Sequence, residues 1–286
     1  ALSSAASDVY KRQLMENLKG KVGVVRPTFE EYPNRFPDEQ VITFVPQNGT
    51  FRYNAEELIE FFGQNPVDIL LLINPDNPSG NFITMDGVHK LAQWCEENNM
   101  RFVLDESFVD FSVGFANNTF LNNAILEKYP RMCVMKSISK SYGVPGLRLG
   151  ILCSADTDVI TKIKKQVSIW NINSFAQFFM QIYPKYREDY ERACYQFIKS
   201  REDFELELRK IPFIKVMPSQ ANYFFLEVLP PYNPKKLCAI LLKKYNILAS
   251  ACLAKKGIEP NKYMRIAVRD HGDNAKFIQA MKELRK

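Results

Sequence analysis

A mostly parallel α/β sheet with helices on both faces, followed by a smaller α+β unit, is the architecture this sequence predicts. Three observations predict it. Short continuous apolar runs, "VDILLLINP" and "RFVLDESF", have the length of strands buried on both faces. They alternate with segments of helical period such as "MDGVHKLAQWCEENN", the mark of a parallel sheet covered by helices. From about Tyr186 the pattern changes to one long helix and then a short mixture of strands and helices.

Taken in order, the first segment, "ALSSAASDVYKRQ", is rich in small residues and lacks the apolar stretch of a secretory signal. It reads as a non-native leader of the kind that recurs as read-through in assembled sequence. Residues 1–13 are therefore set apart, and the folded chain is expected from Leu14. "KGKVGVVRP" is a strand ending at Pro27, and "VITFVPQ" is another. "NAEELIEFFGQ" is a helix with Leu58, Phe61 and Phe62 on one side and Gly63 as its stop. Thr84 caps the helix that turns Val88, Leu91 and Cys95 inward. "RMCVMKSIS" and "LRLGILCS" add strands. "YREDYERACYQFIKSREDFELELRK" is a single helix with Tyr190, Cys194, Phe197, Phe204 and Leu208 on a stripe, closed by Pro212. The strands "IKVM", "NYFFLEV" and "YMRIAVR", with the helix "PKKLCAILLKKYN" and a last helix, make the smaller unit. The boundaries are 14–185 for a large domain, whose beginning is expected to be missing, and 186–286 for a small domain that includes the linking helix.

The bulk numbers narrow the function classes. The chain has 286 residues, 46% hydrophobic and 24% charged, the balance of an ordinary globular protein. A net charge of +6, from 38 basic against 32 acidic residues, is spread evenly and contains no arginine-rich block of the kind that binds nucleic acid. No apolar run approaches the length of a membrane span. Six cysteines without a CxxC pair read as reduced and intracellular, so a cytoplasmic location is expected. The two histidines, His89 and His271, are too few and too far apart for a metal site.

The chemistry concentrates at the expected carboxyl ends of the strands, where parallel sheets place their sites. "SISKSYGVPGLRLG" sets Lys140 among serines, then delivers Arg148 between Gly146 and Gly150. With "NPDNPSG", "DESFVDF" and "YMRIAVR" in this order, it resembles the fold type I pyridoxal-phosphate enzymes of the class I/II aminotransferase group. "IWNINSFAQ" and "SQANYFFLEV" bring it nearest to histidinol-phosphate aminotransferases and threonine-phosphate decarboxylases.

The resemblance implies pyridoxal 5'-phosphate as cofactor, a PLP-dependent transferase-like fold and a role for each motif residue. Lys140 is implied as the lysine joined to the cofactor aldehyde, and Asp105 as the acid facing the ring nitrogen. Asn77 is implied as donor to the ring oxygen, Phe29 as the stacked aromatic, and Ser137, Ser139 and Arg148 as phosphate holders. Arg265 and Asn222 fall on the substrate side, with Arg269 nearby as a second source of charge or a solvated residue. Phe108 stands where relatives carry a tyrosine, and Ser250 where relatives on phosphorylated substrates carry an arginine; Lys255 and Lys256 follow closely.

The resemblance also implies a homodimer, an N-terminally truncated chain with a half-built phosphate cup, and room for a fused nucleotidyltransferase domain upstream. The expected activity is amino transfer between an amino acid or related amine, phosphorylated or phosphonate, and a 2-oxo acid. Decarboxylation on the same scaffold and a non-catalytic PLP-binding sensor are the alternatives. A dinucleotide-binding oxidoreductase is disfavoured, because no GxGxxG follows a strand.

Overall fold

The computed structural model describes residues 2–5, 7–168 and 170–284. The first part of the chain forms β1 (Leu2–Ala5), α1 (Ser7–Asn17), β2 (Val22–Val25), β3 (Val41–Phe44), α2 (Ala55–Gln64), β4 (Ile69–Ile73), α3 (Met85–Glu97), β5 (Arg101–Asp105), α4 (Asn123–Lys128), β6 (Met132–Ser137), α5 (Ile138–Ser141) and β7 (Gly150–Ser154). The rest forms α6 (Thr157–Gln166), α7 (Ser174–Ile182), α8 (Arg187–Leu208), β8 (Ile214–Val216), β9 (Tyr223–Val228), α9 (Pro234–Tyr245), β10 (Ser250–Cys252), β11 (Tyr263–Ala267) and α10 (His271–Glu283). This is a mostly parallel α/β sheet with helices, followed by a smaller α+β unit, as the sequence predicts.

A seven-stranded sheet runs β1-β7-β6-β5-β4-β2-β3. Its centre is parallel from β3 through β6, while β7 and β1 pair antiparallel at one edge. The alternation of the pleat explains why the central strands are apolar throughout. In β4, Leu70 and Leu72 enter a core with α2 and α3, while Ile69, Leu71 and Ile73 enter the opposite core with Leu14 and Met15 of α1 and Ile160 and Ile163 of α6. Each such buried side chain stabilises by roughly 1.5–3 kcal/mol before entropy is counted.

Regular structure is also present before Leu14. Leu2–Ala5 pair with β7, and one helix runs unbroken from Ser7 to Asn17. Met15 is 2% exposed, so that helix covers the sheet rather than trailing from it.

Side-chain caps begin both α2 and α3. Asn54 accepts from Glu57 N while Glu57 reaches back to Asn54 N, a reciprocal cap that contributes about 1 kcal/mol. Gly63 lies inside α2, which continues to Gln64, so glycine is not its stop. Gly23 of β2 is required for close approach: a Cβ there would lie 2.6 Å from the ring of Phe62. Thr84 caps α3 through Gly87 N, and Val88, Leu91 and Cys95 are buried.

A four-stranded antiparallel sheet, β10-β11-β9-β8, has its own core. Phe204 and Leu208 of α8 pack there with Phe224, Leu226, Leu237, Met264 and Met281. β10 was absent from the sequence reading, being three residues long and part-exposed. Among the described residues no helix is long and apolar enough to cross a membrane.

Candidate active site

The carboxyl ends of β4, β5 and β6 lie side by side and face β9–β11 of the smaller sheet. Between them is a cleft of about 810 Å³. Phe29, Asn77, Phe108, Lys140, Asn222 and Arg265 all line it. These six, chosen from motifs up to 236 positions apart between Phe29 and Arg265, share one wall-to-wall space.

Lys140 sits on the short helix that follows β6. Its ammonium lies 4.1 Å from the ring centroid of Phe108 and 6.0 Å from that of Phe29. An aromatic face attracts a cation. Phe108 is 4% exposed and edge-on to Tyr223 at 5.2 Å. The hydroxyl that Phe108 lacks is not supplied by Tyr223, whose own hydroxyl donates to the backbone oxygen of Asp76 at 2.6 Å.

Asp105 ends β5 beneath the cleft and is 2% exposed. It accepts from Ser107 N at 2.9 Å, from the hydroxyls of Ser107 and Tyr32, and from the Lys11 ammonium at 2.9 Å. Burial pushes its pKa up, but the Lys11 charge and these hydrogen bonds outweigh burial and take it down to about 2. Lys11 is also 5.1 Å from the centroid of Phe29, so Lys140 and the cation on Asp105 flank one aromatic ring. Neither Lys11 nor Tyr32 was singled out from sequence. Lys11 lay in the discarded leader, and a tyrosine three residues after Phe29 carries no local signal.

Asn77 accepts from Arg265 at 2.7 Å, and Arg265 lies 5.1 Å over the Tyr223 ring. Both partners are uncharged, which leaves the guanidinium charge for an anion in the cleft. Asn222 is half-buried on the same wall, its carbonyl held by Val268 N at 2.9 Å. Arg269 is exposed, bonded to Asp273 at 2.9 Å, and does not line the cleft. The two lysines after Ser250 separate in the same way. Lys255 lines the cleft and donates to Thr28 O at 2.5 Å, whereas Lys256 points outward to Asp38 at 2.9 Å. Burial lowers the Lys255 pKa.

The residues expected at the phosphate fit that group unequally. Ser139 Oγ is buried without a hydrogen-bond partner, a polar atom waiting for an acceptor beside Lys140. Ser137 is buried too, with its backbone N–H given to Ser107 Oγ at 2.9 Å. Arg148 adopts a left-handed conformation, φ 57°, and is exposed, with Nη1 3.3 Å from Pro145 O. An orphan hydroxyl, a low-pKa buried carboxylate and a lysine beside two aromatic rings fit pyridoxal phosphate, while the exposed Arg148 does not line the cleft.

The family model for aminotransferase class I and II matches residues 3–281. The chain is 28% identical to CMP-5'-(3-aminopropyl)phosphonate synthase of Streptomyces rubellomurinus over 283 residues, 99% of this chain and 44% of that protein. It is 28% identical to L-serine phosphate decarboxylase of Sulfurospirillum multivorans over 292 residues, covering 100% of this chain and 73% of that one. The solved structure of a decarboxylase from Sulfurospirillum multivorans superposes with a TM-score of 0.89 at 26% identity, covering 100% of this chain and 82% of that chain. The chain thus spans from under half to about three quarters of the curated relatives named here. With the match running across both sheets and the cleft between them, this chain belongs to the class I and II aminotransferase family, whose members use pyridoxal 5'-phosphate.

Proposed function

We propose that this chain carries the catalytic cleft of a pyridoxal-phosphate enzyme acting on an amino acid or amine with a distal phosphate or phosphonate, with amino transfer to a 2-oxo acid as its reaction. The observation that carries the reading is the single cleft lined by Lys140, Asn77, Arg265 and Lys255, with Asp105 beneath it. Those groups offer one amine, one amide and two cations, the complement of a substrate with an amine and two anionic ends. The relatives named above support the phosphorylated or phosphonate class, since their names carry an aminopropylphosphonate and a serine phosphate.

When bound, pyridoxal phosphate supplies an aldehyde that takes the amine and a ring that accepts the electrons of the bond broken at Cα. Asp105, ionised throughout the neutral range, keeps the ring nitrogen protonated. Asn77, its carbonyl already given to Arg265, has its NH₂ to donate to the ring oxygen. Lys140 would hold the cofactor through its amine, and the same nitrogen is the base placed to take the proton from the substrate Cα. Arg265 orients the carboxylate, and Lys255 receives the distal anion. Ser139, with Ser137 and Arg148, holds the cofactor phosphate. The family's paired-subunit arrangement makes a homodimer the proposed assembly.

Decarboxylation is the second reading, favoured by the resemblance to the serine phosphate decarboxylase along the whole chain. The two differ in which Cα bond is broken. Incubating the cofactor-loaded chain with O-phospho-L-serine and 2-oxoglutarate separates them. Glutamate without carbon dioxide supports amino transfer, carbon dioxide and phosphoethanolamine without glutamate support decarboxylation, and a chain that binds cofactor and forms neither product refutes both.

A further inference from the structure

The long helix α8 buries an arginine that the cleft chemistry does not use. Arg201 is 1% exposed and lies on the stripe with Cys194, Ile198, Phe204 and Leu208. That spacing calls for an aliphatic side chain. Among the described residues its guanidinium hydrogen-bonds to uncharged oxygens: the carbonyl of Phe111, the carbonyl of Ala221 at 3.2 Å and Gln220 Oε1 at 3.4 Å. Burial lowers its pKa. The charges of Glu202 and Glu205 act on it and offset burial only in part, so a buried cation hydrogen-bonded to uncharged oxygens is a costly way to fill space, and a methionine would fill it without that cost. What an arginine adds is a planar fork that reaches two chain segments at once.

Those segments belong to opposite walls of the cleft. Phe111 follows Phe108 in the short turn after β5, while Gln220 and Ala221 lie in the loop from β8 to β9. Gln220 Oε1 also accepts from Val113 N at 2.8 Å, and Gln220 N donates to Gly80 O at 2.9 Å. Gly80 ends the "NPDNPSG" loop, and a Cβ there would fall 2.2 Å from Ser219 Oγ, so the two loops meet without spare room. Next in sequence come Asn222 on the cleft wall and Tyr223, bonded to Asp76 O. The loop 219–223 is thereby clasped to the loops that carry Asn77 and Phe108, and Arg201 lies at the back of the clasp.

We propose that Arg201 is a positioning residue that sets the span between the carboxylate side of the cleft, Asn222 and Arg265, and its amine side, Lys140 and Asn77. It touches neither substrate nor cofactor and acts through Ala221 and Gln220. The inference rests on the reading of the cleft as an amino-acid site.

The test uses Arg201→Met and Arg201→Lys with two readouts. In hydrogen–deuterium exchange, Arg201→Met speeds amides 219–223 at least tenfold while β5 and β11 keep their protection. In absorbance titrations, its affinity for pyridoxal phosphate stays within about twofold of the parent, and the cofactor-loaded protein binds O-phospho-L-serine at least tenfold more weakly. Arg201→Lys keeps the charge, loses the fork and recovers part of both effects. If Arg201→Met does not fold, the smaller shifts of Arg201→Lys decide in its place. Unchanged exchange at 219–223, or equal loss of cofactor and O-phospho-L-serine affinity, overturns the proposal. If the parent chain itself does not bind O-phospho-L-serine, the substrate reading fails, and the exchange measurement still decides the clasp.

Discussion

Replacing Lys255 by methionine keeps the side-chain length and removes the charge, and so asks what the cleft reads beyond the amine. Lys255 is half-buried on the cleft wall, bonded to the neutral Thr28 carbonyl, and its pKa is lowered by burial. A substrate dianion brought to about 4 Å of this ammonium gains ~4 kcal/mol per unit charge at an effective dielectric near 20. Surrender of the Thr28 bond and desolvation reduce that to ~1.5–3 kcal/mol, the usual worth of a charge-assisted hydrogen bond. At 1.4 kcal/mol per decade, Lys255→Met should weaken O-phospho-L-serine about 10- to 100-fold. The assay is an absorbance titration of the cofactor-loaded chain with O-phospho-L-serine and, separately, with L-serine. L-serine affinity should be unchanged, because it lacks the distal anion. Lys256→Met should leave both affinities alone, since that side chain is exposed and bonded to Asp38. Equal losses for the two ligands, or no loss for the phosphorylated one, would refute the assignment.

Three further outcomes are expected. Lys140→Ala should abolish the visible absorbance band that pyridoxal phosphate acquires on joining the chain; a persisting band would move the attachment to another amine. Lys11→Met frees Asp105 of the ammonium that occupies it, so cofactor affinity should rise, while the cofactor-free protein loses ~3 kcal/mol through a broken, largely buried pair; a fall in cofactor affinity would show that Lys11 does not compete with the ring nitrogen. Burial raises the carboxyls of Asp76 and Glu106 to about 7 against the opposing hydrogen bonds of Ser79 and charge of Lys136. Each therefore binds its proton more tightly folded than unfolded, and folding stability declines as pH rises from about 4 to about 7. Asp76→Asn should remove on the order of 2–4 kcal/mol of that decline, read from urea midpoints at pH 5 and pH 8; parallel profiles in parent and variant would refute the buried-acid account.

Sequence by itself determined the elements whose signal is local. The run "ILLLI" reads as a strand covered on both faces because five consecutive apolar residues leave no polar side for water, and β4 is buried at every position. Thr84 announces a helix start because capping involves residues three positions apart. Motif chemistry placed Lys140, Asp105 and Asn77 at the ends of adjacent strands, where the parallel crossover brings them together. Only the tertiary structure decided which neighbours complete them. Lys255 and Lys256 are indistinguishable in a string of letters, yet one closes on Thr28 from 227 residues away and the other on Asp38 from 218. Arg265 meets Asn77 across 188 residues, and Arg201 interrupts an apolar stripe to hold Phe111 across 90. Periodicity and caps are properties of neighbours along the chain, whereas the side on which a cation finds its partner is set by how two sheets dock, and no short window of sequence contains that geometry.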